Sequence, residues 1–283
     1  MKNEIKKSAL YIVGTPIGNL ADLSQRAIDT LSGVDFIAAE DTRVTVKLLN
    51  HLSIKKPLIS YFEHNKLQKG DYICQRILDG ETCALVSDAG MPAISDPGEL
   101  LVAQCREKNI DVFVVPGPSA VISALATSGL RTGRFTFEGF LSTNKRSRKE
   151  HLEEIKTEPR TMVFYEAPHK LVNTLKDLLD CLGNRKISVV RELTKIHEET
   201  LVTNLEKALV HFTEKTPKGE FVLVIEGEEK LDENNQISIE QALEMAQEII
   251  KNGKSSSEVA KEIASKTPFK KAEIYKLLVE SKS

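Results

Sequence analysis

Apolar residues gather in short runs, and between the runs they recur every three or four positions. ALYIV at 9–13, DFIAA at 35–39, PLISYF at 57–62, CALVS at 83–87 and DVFVV at 111–115 predict strands. Leu23, Ala27, Ile28 and Leu31 recur at helical spacing between the first two runs. Strands alternating with helices predict a parallel sheet covered on both faces. Ligands of such sheets sit in the crevice beyond the C-terminal strand ends.

Pro116-Gly117-Pro118 interrupts this alternation, and SAVISALATSGL predicts a helix capped near Ser119 and stopped at Gly129. The expected first α/β domain therefore spans 1–117, and a second α/β domain spans 118–230. The second has strand-like runs at 134–140, 161–166, 186–192 and 220–227, with a further one near 200–205. Its helices are expected at 148–155 and 168–182, with Pro168 at the first helical position. The stretch 199–221 is too irregular for simple winding, so a mixed sheet is expected. LDENNQIS at 231–238 reads as a linker. Three short helices follow at 239–251, 257–265 and 268–282, the second with serines at its cap and the third with Pro268 in its first turn. The unit 231–283 fits either a helix-turn-helix or a packing appendage.

Composition adds limits. The 283 residues are 41% hydrophobic and 28% charged, an ordinary globular balance. No apolar run approaches the ~18 residues of a membrane span. The basic N-terminus leads straight into a strand pattern, so a cytoplasmic protein without signal peptide or membrane anchor is expected. Four cysteines form no CxxC and the histidines form no HxxxH, so reduced core thiols and no metal site are expected. A net charge of −2 argues against a protein that coats nucleic acid non-specifically. One basic run remains, KRSRK at 145–149, which suits either phosphate contacts or a solvated helix start.

Three Gly/Pro loops, GTPIGNL, SDAGMPAISDPG and PGPSA, each follow a predicted strand of the first domain. In a parallel sheet all three emerge at one edge. GTPIGN is not the dinucleotide-binding GxGxxG, and no GxxxxGK[ST] occurs. The loops hold no Lys or Arg to meet a polyphosphate; their charges are Asp88, Asp96 and Glu99. An acidic, backbone-rich pocket suits a cationic ligand with hydrogen-bonding edges, and S-adenosylmethionine has that chemistry.

LYIVGTPIGNLADLS, AAEDTR, SYFEHN, LVSDAGMPAISDPG, VVPGPSA, FEGFL and VFYEAPHKL, in this order from about Leu10 to Gly227, resemble the tetrapyrrole methylase superfamily. The resemblance implies two α/β domains with S-adenosylmethionine in the cleft between them, usually in a homodimer. Porphyrinoid-methylating members usually carry VGxGPGD and GGDPxxxG loops where this chain has VGTPIGN and SDAGMPAISDPG. That departure favours the RNA-methylating branch, whose members transfer methyl to the 2′-oxygen of a cytidine ribose in the decoding region of 16S rRNA, in the small ribosomal subunit. A tetrapyrrole is the alternative substrate. By the same resemblance, Gly14, Ile17, Asp88, Ala89, Gly90, Ala93, Ser119, Ala120, Glu166 and Leu193 contact the cofactor, although relatives often have an apolar residue where Glu166 stands. Plainer roles stay open: Gly14 and Gly90 permit turns, Ser119 caps a helix, and Asp88 and Asp96 close Asx turns. Candidate bases on loops facing the cleft are Glu40, Asp41 and His64, none singled out. Arg43, Asn65, Lys145, Arg146 and Arg148 are the candidate RNA contacts.

Overall fold

Among the described residues, 5–228, 239–251, 255–264, 267 and 269–280, the computed structural model has two five-stranded sheets. The expected linker at 231–238 and Pro268 lie outside them. The first sheet comprises β1 (Ala9–Val13), β2 (Phe36–Ala39), β3 (Leu58–Ser60), β4 (Cys83–Val86) and β5 (Asp111–Val115). All its pairings are parallel, in the order β3-β2-β4-β1-β5. β1, β2 and β4 are buried along their whole length, as near-continuous apolar runs require.

Alternate residues of β1 face opposite cores. Ala9, Tyr11 and Val13 pack with Leu31 of α1 (Gln25–Gly33) and Leu49 of α2 (Thr42–His51). Leu10 and Ile12 pack with Ile73 and Ile77 of α3 (Lys66–Leu78) and Leu101 of α4 (Glu99–Glu107). Each fully buried Leu or Ile contributes about 1.5–3 kcal/mol. The run at 57–62 pairs only over Leu58–Ser60. Pro57 cannot donate to a ladder, and β3 holds the sheet edge where that is tolerated.

α5 (Ala120–Thr127) begins the second half. The second sheet has β6 (Phe135–Gly139), β7 (Thr161–Glu166), β8 (Lys186–Arg191), β9 (Glu199–Asn204) and β10 (Phe221–Ile225), in the order β6-β7-β10-β8-β9. Only β6 and β7 pair in parallel, so the sheet is mixed. β10 shows how it is covered. Phe221, Leu223 and Ile225 face the core under α6 (Lys145–Ile155), α7 (Leu171–Leu182) and α8 (Leu205–Glu214). Val222 and Val224 face α5 and Ile17.

Three local expectations change. α6 starts at Lys145 rather than 148, because the Asn144 side chain accepts from the Arg146 and Ser147 amides at 3.0 and 3.2 Å. α7 starts at Leu171; Pro168 opens the preceding turn. α8 has no counterpart among the expected helices. Asn204 both ends β9 and caps α8, accepting from the Lys207 amide at 2.9 Å, so no turn separates strand from helix.

The chain divides into two units, Met1–Glu228 and Glu229–Ser283. In the second, α9 (Ile239–Lys251), α10 (Ser256–Ala264) and α11 (Lys271–Glu280) share a core of Ala242, Ala246, Val259, Ile263, Ile274 and Leu278. A reciprocal cap opens α10: the Ser255 amide donates to Glu258 and the Glu258 amide to the Ser255 hydroxyl. Among the described residues no helix is long and apolar enough to cross a membrane.

Candidate functional site

The three Gly/Pro loops leave β4, β1 and β5, which are neighbours in the first sheet. They are stitched together by backbone. The Gly14 amide donates to Val115 O at 3.1 Å, and Thr15 and Gly90 exchange N–H···O bonds of 2.8 and 3.1 Å. The Thr15 hydroxyl donates to Ser87 O at 3.2 Å. A Cβ on Gly14 would stand 2.7 Å from Gly117 Cα and 2.7 Å from Met91 Sδ, so only glycine lets the two loops meet. In the β4 loop Gly90 takes φ +82°, and the non-glycine residues Ala93 and Ser95 also take positive φ, 68° and 64°. Such backbone is strained and persists only where its surroundings dictate it.

Beyond these loops lies a cavity of about 540 Å³, within the range of small-molecule sites. The loops supply Ile17, Ala89, Gly90, Met91, Ile94, Ser95 and Asp96 to its wall. The start of α5 supplies Ser119 and Ala120, and the second sheet and its connections supply Phe140, Tyr165, Glu166, His169, Val190, Leu193, Glu220 and Val222. Among the described residues, no Lys or Arg lines it.

Ile17, Ala89, Gly90, Ser119, Ala120, Glu166 and Leu193 thus lie together on the wall, while Gly14, Asp88 and Ala93 do not line it. Ser119 occupies the N-cap position of α5, but its hydroxyl makes no capping bond. Glu166 is 3% exposed. Its carboxylate accepts from the Ala167 amide at 2.8 Å and from the Thr174 hydroxyl at 2.5 Å. Thr174 Oγ1 in turn accepts from Arg148, whose guanidinium also pairs with Asp177 at 2.6 Å. Arg148, expected beside RNA, is thereby committed to a partly buried network, with its side chain 16% exposed. Lys145 and Arg146 are exposed, Arg146 paired with Glu150 at 2.8 Å.

Asp88 closes no turn of its own loop. It accepts from the Asp41 amide at 3.1 Å, and its own amide donates to Glu40 at 3.3 Å. Arg43 grips Asp41 through two nitrogens, at 2.6 and 3.0 Å, and holds that carboxyl down at about 2. Burial raises Glu40 and Asp88 above the usual carboxylate range. These four residues form one cluster at the ends of β2 and β4, off the cavity wall. His64 and Asn65 follow the edge strand β3 and do not line the cavity either. The Asn65 amide is spent on its turn, accepting from Phe62 N at 2.9 Å and donating to Ser60 O at 3.0 Å.

Asp96 lines the wall although it is absent from the cofactor contacts that the sequence implies. Burial, and then the negative charges of Glu40 and Asp88, push its carboxyl up to about 7. Its charge is legible in the sequence, but its direction depends on the turns at Ala93 and Ser95. Phe140, Pro168 and His169 also reach the wall, from within the motifs FEGFL and YEAPHKL.

The fold has solved counterparts. Uroporphyrin-III C-methyl transferase from Thermus thermophilus, complexed with S-adenyl homocysteine, superposes with TM-score 0.55 at 18% identity, covering 78% of this chain and 97% of that one. A sequence profile of the Tetrapyrrole (Corrin/Porphyrin) Methylases matches residues 9–209. Fold and profile agree on the class, the tetrapyrrole methylases. Ribosomal RNA small subunit methyltransferase I of Synechocystis sp. is 47% identical over 272 residues, 96% of this chain and 97% of that protein. The protein of the same name in Halalkalibacterium halodurans is 46% identical over 273 residues, 96% of this chain and 94% of that protein. The chain belongs to the ribosomal RNA small subunit methyltransferase I family of that class.

Proposed function

We propose that the protein methylates the 2′-oxygen of a cytidine ribose in the decoding region of 16S rRNA, using S-adenosylmethionine and acting on the small ribosomal subunit as a cytoplasmic homodimer. The observation that carries this reading is the cavity: apolar walls and carboxylates, with no Lys or Arg among the described residues that line it, above the joined ends of β4, β1 and β5. Such a site favours a cation with a flat apolar part. Relatives named for rRNA methylation, and a structural neighbour complexed with S-adenyl homocysteine, support the substrate and the cofactor. The edge strand β9 exposes Val202 beside unpaired backbone, a surface that a second copy would cover.

Bound in the cavity, S-adenosylmethionine supplies a methyl group on an already activated sulfonium. The chain must then orient and desolvate. Ile17, Met91 and Leu193 exclude water from the wall, and the Gly14–Gly117 contact fixes the loops that carry Ile17 and Ala120. Holding two reactants in line can recover roughly 7–11 kcal/mol of the barrier.

The RNA grip is proposed at the start of α6. Lys145 and Arg146 occupy its first turn, which has no acidic residue. Helix dipoles disfavour cations there by about 0.3–1 kcal/mol each, and a bound phosphate would offset that cost. Reversing both charges (Lys145→Glu, Arg146→Glu) is expected to weaken subunit binding and to lower its salt dependence by about one unit of slope for each phosphate no longer neutralised. Calorimetry should find cofactor affinity intact. An unchanged salt slope would make these residues plain solvated surface.

The function itself is tested by incubating the protein with methyl-labelled S-adenosylmethionine and small subunits lacking the modification, then mapping the label. Label at a single cytidine ribose 2′-oxygen is expected. Label on a base, or transfer to a tetrapyrrole but not to subunits, would overturn the reading.

A further inference from the structure

We propose that the exposed ring of Phe140 is a stacking platform for the base of the target nucleotide, turned out of its RNA stack so that its ribose can meet the methyl donor. This role rests on the methyltransferase reading above and adds where the RNA base sits. A ribose reaches a methyl group held inside a cavity only if its nucleotide leaves the stack. The unstacked base then loses contacts that an aromatic face can replace.

Phe140 and Leu141 are neighbours with opposite surroundings. Leu141 is 2% exposed, in the core that holds Leu171 and Leu175 of α7. Phe140 is 54% exposed and lines the cavity. The end of β6 produces this split. The β6–β7 register shifts between Phe137 and Gly139, which makes Glu138 the extra residue of a bulge. Bulges re-aim the side chains beside them. Glu138 is pinned to His151 of α6 at 2.8 Å, and Gly139 takes φ +63°. The Phe140 ring meets Tyr165 edge-on, with centroids 5.6 Å apart, and Tyr165 meets Phe137 in the same way at 5.1 Å. The Phe140 ring is thus held without being covered.

The cavity has a deep end and a rim. Val190, Leu193 and Val222 are buried, while Ile94, Ser95, Phe140 and His169 are exposed. A Cβ on Gly139 would lie 3.6 Å from Ser95 Oγ, so the Phe140 segment and the β4 loop meet at that rim. Water satisfies the imidazole of His169, but a phenyl ring gains nothing from it. Asp96, Glu166 and Glu220 on the wall disfavour phosphate, so a nucleotide must be held there through its base and sugar. Lys145 and Arg146, proposed above for the phosphates, follow in the same connection and the first turn of α6. The chain from Phe140 to Lys145 spans at most about 18 Å. One short segment therefore presents both a face for the base and cations for the backbone.

Phe140→Ala should raise the KM for small subunits lacking the modification about 5–150-fold, as loss of one stacked base requires, with kcat changed less. Calorimetry should find S-adenosylhomocysteine affinity unchanged. The salt slope of subunit binding should also keep its wild-type value, because no phosphate contact is lost. Phe140→Trp and Phe140→Tyr should recover most of the affinity that alanine loses. Phe140→Leu, which keeps apolar bulk without the ring face, should not. A KM in Phe140→Ala equal to wild type would overturn this role. So would a matching fall in S-adenosylhomocysteine affinity, which would put the ring against the cofactor, or full rescue by leucine, which would make the ring plain packing. Wild type on the same subunits keeps the two readings apart: no ribose transfer there contradicts the rRNA reading itself, and the role of Phe140 falls with it.

Discussion

Gly14→Ala should loosen the site and the fold together. The added Cβ would meet Gly117 Cα at 2.7 Å, Gly117 N at 2.8 Å and Met91 Sδ at 2.7 Å. The methionine can move, but it also lines the cavity, so its displacement would disturb the wall. The Gly117 backbone cannot yield without disturbing the bond from the Gly14 amide to Val115 O. Overpacking of this kind costs about 1–3 kcal/mol. In a chain of this size each kcal/mol lowers Tm by roughly 2–4 °C. S-adenosylhomocysteine affinity should fall on the order of tenfold, about 1.4 kcal/mol, as Met91 crowds the wall. Gly133→Ala is the control, because a Cβ there meets nothing within 4 Å. Thermal unfolding and calorimetry read both effects. Two variants that match wild type would mean that the loops do not depend on this close approach.

The second large effect is expected from Thr174→Val. Valine keeps the shape but removes the hydroxyl that donates to Glu166 and accepts from Arg148. Glu166 is left with a buried carboxylate oxygen lacking its donor, and Arg148 loses an acceptor. A buried polar group without its partner costs about 1–3 kcal/mol, and more when charged. The network begins at Asp177 and ends on the cavity wall, so its damage should also be felt by the ligand. Denaturant unfolding should show the loss with an unchanged m value, and Thr174→Ser should recover much of it. A valine variant as stable as wild type would mean that the Arg148–Thr174–Glu166 chain contributes little.

Much of the first sheet can be read from the sequence because β1, β2 and β4 are buried on both faces and leave uninterrupted apolar runs. The loops after β1, β4 and β5 are visible for a related reason: their glycines and prolines mark backbone that few residues can adopt. The order β4-β1-β5, which brings those loops side by side, is a product of pairing, and no local pattern carries it. α8 is hidden because Asn204 serves strand and helix at once. The fates of Arg148 and Asn65 depend on partners that the local pattern does not name. Arg148 reaches Asp177, 29 positions away, and Asn65 folds back on Ser60. Asp96 is legible as a charge but not as a site residue, since two αL turns at non-glycine positions decide where it points.

The cavity between the joined loops and the second sheet carries the proposed function. A crystal structure with S-adenosylhomocysteine bound tests that directly. The ligand should fill the cavity against Ile17, Gly90, Ala120 and Leu193. A ligand seated elsewhere would contradict both the site and the function proposed for it.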